Sequence, residues 1–145
     1  MIDYQTALIC TCIQSEDVLV SCRGKRIKAE AFTNEHARAI YDCLCKNMDD
    51  GQAFSRVELW MRVRKEYPKK VDAIAEWVEN NQKLIPSTGW EKWAESVAIE
   101  YRETLKKTAM EKAFEMVASG EPVSDVVSHL TSAIQDADDS ISLEE

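Results

Sequence analysis

The sequence predicts an all-α fold: a compact head of about five short helices, then a long helix and an antiparallel C-terminal helical hairpin. Three observations carry that expectation. Apolar residues recur at three- and four-residue spacing along nearly the whole chain. Capping residues stand just ahead of most of those periodic runs. No segment alternates convincingly as a strand would.

Asp3 can cap a first helix running to about Gln14, with Ala7, Leu8 and Thr11 on its inner side. Ser15 opens a short second helix, "SEDVLVSC", which ends before a turn at Gly24. Asn34 caps a third, where Ala37, Ile40, Tyr41, Leu44 and Met48 recur on one face, and Gly51 stops it. Ser55-Arg56-Val57-Glu58 is a capping box for a fourth, with Val57, Trp60, Met61 and Val63 to bury. Pro68 ends that segment, and a fifth helix follows from Lys70 to Gln82 through Val71, Ile74, Ala75 and Val78. After a break at Pro86-Ser87, a second capping box, Thr88-Gly89-Trp90-Glu91, starts the longest periodic segment, from Trp90 to about Ser119.

Gly120 suits the left-handed position after that helix, and Pro122 can open the next one. The last helix places Val123, Val127, Leu130, Ile134 and Ala137 on one seam, joined by Val126 and Ala133. So short a connection between two amphipathic helices implies an antiparallel hairpin. The expected organisation is a helical head over 1–87, the long helix and hairpin over 88–138, and an acidic tail or linker start over 139–145.

Composition narrows function. The 145 residues are one domain's worth of chain, 45% of them hydrophobic. No run approaches the roughly 18 apolar residues of a membrane span, and the first residues lack the basic start of a signal peptide, so the expected location is cytoplasmic. The formal net charge of −8 argues against a surface built to grip phosphates. Two basic stretches, "CRGKRIK" and "RKEYPKK", are each interleaved with or close to carboxylates. A protein partner is favoured over nucleic acid or membrane.

Five cysteines fit a reducing compartment. Cys10-x-Cys12 and Cys43-x-Cys45 lie in helical patterns, where residues i and i+2 point about 200° apart, so one metal ion cannot readily take both members of a pair. His36 and His129 are the only histidines, and neither is within a helical turn of a cysteine. Asp125, four residues before His129, makes an ordinary surface pair with it. Glu91 with Glu95, and Asp136 with Asp139, read as solvated faces. No catalytic constellation, metal site or cofactor is expected, and a small metal-dependent enzyme stands only as a remote alternative.

The long helix is apolar on two sides. With Tyr101 as the reference and 100° per residue, Trp90, Trp93, Ala94, Val97, Ala98, Leu105, Thr108, Ala109 and Met116 fall within about 80° of it. Ile99, Met110, Ala113, Phe114 and Val117 cluster on the far side, between about 120° and 220°. One returning helix cannot cover both. Either the head or a drift of the helix covers the second stripe, or that stripe is a contact surface, a use that methionine and phenylalanine suit. Contact through the hairpin is the favoured use. The candidate contact residues are Ile99, Met110, Ala113, Phe114 and Val117, with Val123, Val126, Val127 and Leu130 on the returning helix.

The order of these signals resembles the N-terminal domain of the DnaB-type hexameric replicative helicases, over most of the chain. "TALICTCI" stands where that family has E-x-A-L-L-G on its first helix, without the glycine. "FTNEHARAIY" is similar to F-[YF]-x-x-x-H-R-x-I-[FY], keeping Phe32, Ile40 and Tyr41 in place while His36 comes one residue early. "GQAFSRVEL" is similar to G-x-P-[IV]-D-x-[VI]-x-L, with Gly51, Phe54, Val57 and Leu59 in register and Ser55 for the aspartate. "PSTGWEKWAESV" resembles P-S-x-x-N-[IV]-x-x-Y-A-x-[IL]-V, with Trp90, Trp93 and Val97 in the apolar places and one residue fewer after Pro86. The arginines that commonly follow are shifted or missing. "GEPVSDVVSHLTSAI" looks like the second hairpin helix.

The resemblance implies a non-catalytic collar module from a divergent member, encoded by a phage or other mobile element. Such a module pairs with neighbouring copies through its hairpin and docks the primase's helicase-binding domain or a helicase loader during DNA replication. A longer parent protein would be an ATP-dependent DNA helicase, but no G-x-x-x-x-G-K-[ST] occurs in these residues, and Gly24-Lys25 is a lone dipeptide. The alternative is a stand-alone helical adaptor of the same fold that binds a replicative helicase as a loader or inhibitor would.

Overall fold

In the computed structural model, which describes residues 3–82 and 89–140, side-chain caps start the first four helices. Helix α1 (Tyr4–Gln14) starts where the Asp3 carboxylate accepts the Thr6 N–H at 2.8 Å. Ser15 ends α1 and its hydroxyl caps α2 (Glu16–Gly24) by accepting from Val18 N–H. A 3-10 turn at Ala29–Ala31 leads to α3 (Glu35–Asp49), where the Asn34 carboxamide oxygen accepts from the N–H groups of both His36 and Ala37. Ser55 caps α4 (Arg56–Glu66) through Glu58 N–H at 3.1 Å, and α5 (Val71–Gln82) follows the turn at Pro68. Helices α6 (Trp90–Ala118) and α7 (Val123–Asp139) complete the chain. The fold is all-α, as the periodicity predicts.

Two glycines close helices in the same way. At φ 73° and 79°, Gly51 and Gly120 adopt the left-handed conformation that costs other residues about 1–2 kcal/mol. After Gly120, Glu121 N–H returns to Met116 C=O at 3.1 Å while Gly120 N–H reaches Val117 C=O at 3.0 Å. After Gly51, Gln52 N–H and Gly51 N–H make the equivalent bonds to Asn47 and Met48. This pattern satisfies the last carbonyls of α3 and α6 and turns the chain sharply back. The start of α6 differs from expectation: Gly89 occupies the cap position at φ 105°, and Thr88, Pro86 and Ser87 lie outside the described residues.

Helix α1 is the axis of the head, packed by α2, α3, α5 and α6. It is therefore buried almost all round, including Gln5, Thr6, Ile9, Cys10, Cys12 and Ile13, rather than on the one side expected from Ala7, Leu8 and Thr11. Its polar groups find partners within the head. Gln5 Oε1 accepts Thr33 N–H at 2.9 Å, and the Thr11 hydroxyl donates to Ala7 C=O at 2.8 Å. On α3 the expected face is inward, with Ala37, Ile40, Tyr41 and Leu44 buried. The Tyr41 ring lies 4.9 Å from that of Phe32, and its hydroxyl donates to the buried Ile27 carbonyl at 2.6 Å.

On α4 the expected inward set is only half right. Leu59 and Val63 are buried and Trp60 is partly buried, but Val57 and Met61 face solvent. Leu59 and Val63, four residues apart, share the side that meets α3 and α5, which puts Val57 and Met61 about 200° away.

Packing changes inside α6 rather than at residue 88. Trp90, Trp93, Ala94, Val97, Ala98 and Tyr101 belong to the head core against α1, whereas from about Leu105 onward the helix is paired with α7. Its 29 residues rise roughly 44 Å, enough to leave the head behind. The far end of α7 comes back to the head. There Arg26 donates to Asp139 C=O at 2.9 Å, and Lys106 of α6 pairs with Asp138 at 2.7 Å. Among the described residues no helix is long and apolar enough to cross a membrane.

Candidate protein-contact surface

The hairpin is held by a narrow seam of small residues. Ala109 and Ala113 of α6 are buried against Val126 and Ala137 of α7, with Leu130, Ala133 and Ile134 partly buried beside them. Alanines let the two helix axes approach closely, but they leave little side-chain bulk to shelter neighbouring positions. His129 lies at this seam, its Nε2 3.3 Å from Ala109 C=O.

Of the nine candidate contact residues, six are exposed: Ile99, Met110, Phe114, Val117, Val123 and Val127. Phe114 and Val123 are the extremes at 70% and 77%. Leu130 is partly covered. Ala113 at 6% and Val126 at 8% belong to the seam, so they cannot present a surface to a partner while the hairpin is closed. The reason is rotational: Ala113 sits about 60° from Met110, towards Ala109, and Val126 about 100° from Val127, towards Leu130 and Ala137. The last helix thus turns Val123 and Val127 outward from the seam they were expected to join.

The exposed residues share one flank. The opposite flank carries an open groove lined by Leu105, Thr108, Lys112, His129 and Asp136. In an antiparallel pair the two helices rotate in opposite senses along a common axis. Residues displaced from the seam away from that groove are then Met110, Phe114 and Val117 on α6, and Val123 and Val127 on α7. The Lys106–Asp138 pair marks the same flank nearer the head. Ile99 lies in line with Met110 but roughly 16 Å below it, so it stands apart from the tip.

The residues weighed for chemistry lie elsewhere. Cys10, Cys12, Cys22 and Cys43 are free and buried in the head, and Cys45 is partly buried. Burial pushes Cys10 and Cys45 up to about 11 and Cys43 up to about 12. A hydrogen bond that the Cys12 thiol donates to Cys22, then burial, raise Cys12. These thiols are protonated packing groups at neutral pH. His36 sits beside Trp77, ring centroids 6.0 Å apart, with Glu35 3.9 Å away.

No protein-family model, curated protein or solved structure matches the chain. The likeness to the helicase N-terminal domain rests on the sequence motifs alone.

Proposed function

We propose that this chain is a non-catalytic collar domain of a replicative DNA helicase of the DnaB type, acting in the cytoplasm through protein contacts. Its hairpin pairs with a second copy and offers a docking place to the primase's helicase-binding domain or a loader. The observation that carries this reading is the one-sided apolar flank of the hairpin tip, Met110, Phe114 and Val117 of α6 with Val123 and Val127 of α7, all beyond the head core. The order of head, long helix and returning helix supports it, since that is the layout the motifs imply. The chemistry would belong to a motor elsewhere; this chain supplies shape and adhesion.

Five exposed apolar side chains make a patch smaller than the ~800 Å² per partner of a standard stable interface. Pairing through it alone is therefore weak and concentration-dependent, and neighbouring contacts in a ring would add to it. The same small size favours a second reading, a stand-alone adaptor whose flank meets a helicase ring rather than itself.

Calorimetric titration of the chain with the primase helicase-binding domain, the loader and the helicase of its own source organism separates the two. The collar reading expects binding to primase or loader, lost in Phe114→Glu. Binding to the intact helicase ring alone, with no self-association, favours the adaptor. Binding to none of them removes the helicase assignment.

A further inference from the structure

The run "RKEYPKK" is balanced by carboxylates along the sequence but not in space. Glu66 is engaged on the α3 side, where Lys46 reaches it at 3.7 Å and Arg62 at 3.5 Å. Lys70 is drawn to Glu35 at 3.6 Å. Arg56, Arg64, Lys65 and Lys69 make no ion pair among the described residues. A chain of net charge −8 thus keeps a local group of unneutralised cations.

Three of them, Arg56, Arg64 and Lys65, flank an apolar ridge on α4. Val57, Met61, Arg64 and Lys65 fall within about 100° of one another on α4, opposite the buried Leu59 and Val63. Val57 and Met61, one turn apart, are 69% and 57% exposed. A surface depression of about 510 Å³ lies on one side, where Arg56 and Trp60 meet Ile13, Val78 and Gln82, with one carboxylate, Glu79 of α5, on its α5 edge. On the other side is a smaller one of about 170 Å³, edged by Met61, Lys65 and one carboxylate among the described residues, Glu58.

We propose that this outer face of α4 docks an acidic amphipathic helix from a partner protein. Apolar side chains one turn apart on such a helix match the Val57–Met61 spacing, and one of them fits the depression beside Trp60. Its carboxylates then meet Arg56, Arg64 and Lys65, complementarity that speeds encounter and rejects basic competitors. A nucleic acid or an anionic membrane fits less well. Both present extended negative charge to the whole chain, which repels it, and a nucleic acid would also leave Val57 and Met61 against a charged backbone. This face is built on α3 and α5, apart from the α6–α7 hairpin, and does not depend on the hairpin's role.

The test is chemical-shift mapping on the isotope-labelled 145-residue chain with three probes. The first is a synthetic helical peptide with leucines at i, i+4 and i+7 and glutamates elsewhere. The second carries lysines for the glutamates, and the third is a single-stranded oligonucleotide. We expect the acidic peptide alone to shift amides around 56–65 and the Trp60 indole, and its affinity to fall at least about tenfold in Arg64→Glu/Lys65→Glu and in Met61→Glu. Phe114→Glu should leave that affinity unchanged. Equal binding of the lysine peptide, displacement by the oligonucleotide, shifts centred elsewhere, or no binding at millimolar peptide would each overturn the proposal. The substituted positions are solvent-facing, and unchanged helicity confirms that each variant is folded.

Discussion

The head and the hairpin tip use the same kinds of apolar residue to opposite ends. In the head, Leu8, Phe32, Ile40 and Tyr41 are sealed from solvent, and α1 is surrounded by four other helices. At the tip, the seam is mostly alanine and valine, and the bulkiest side chain, Phe114, points into water. The contrast teaches that residue type alone does not locate a core. Burial depends on how many elements converge, and only two converge at the tip. The head therefore seals its own core, including the first turns of α6, while the tip has apolar area left over for a partner.

The largest effect expected from that contrast comes from emptying the head. Phe32→Ala should cost about 3–5 kcal/mol in urea unfolding, because the site is walled by α3 and cannot collapse. A loss under 1 kcal/mol would mean the head is loosely packed. Next is Tyr41→Phe, which leaves the Ile27 carbonyl buried without its donor at a cost of about 1–3 kcal/mol.

Alkaline pH probes the same region. The folded thiols of Cys10, Cys43 and Cys45 ionise at about 11, 12 and 11, above the ordinary value of 9.0. In that interval the unfolded chain has released protons that the folded chain still holds, so stability falls as pH rises. Their contribution should be intact below pH 9.0 and lost as pH climbs through 11. Stability measured by urea unfolding that stays level from pH 9 to 11 would contradict the burial of these cysteines. The smallest effect on folding belongs to the tip: Phe114→Glu should shift monomer stability by no more than about 0.5 kcal/mol. Lost helicity there would instead make Phe114 part of the core.

Most of the fold was legible because helix boundaries are written in single residues. Asp3, Ser15, Asn34 and Ser55 cap, and Gly51 and Gly120 stop, as their side chains or lack of one dictate. Facing directions were less legible. α1 reads as one-sided yet is buried all round, since the number of neighbours around a helix is a tertiary property. Val57 and Met61 read as inward because α4 is apolar on two sides, and only its docking on α3 and α5 decides between them. Ala113 and Val126 read as contact residues because angular sorting around one reference residue cannot find a seam set by the partner helix. The exposed flank itself was legible from the two-sided pattern of α6, with Met110, Phe114 and Val117 placed outward from sequence.

The central claim is that the hairpin flank is a surface for another copy of the chain. The most direct test is the solution mass of the intact protein by light scattering, from micromolar to near-millimolar concentration, beside Phe114→Glu at equal helicity. The account predicts a mass that rises with concentration towards a dimer or larger closed assembly, and a variant that remains a monomer. A wild-type protein that is monomeric throughout, or a variant that associates just as well, would contradict it.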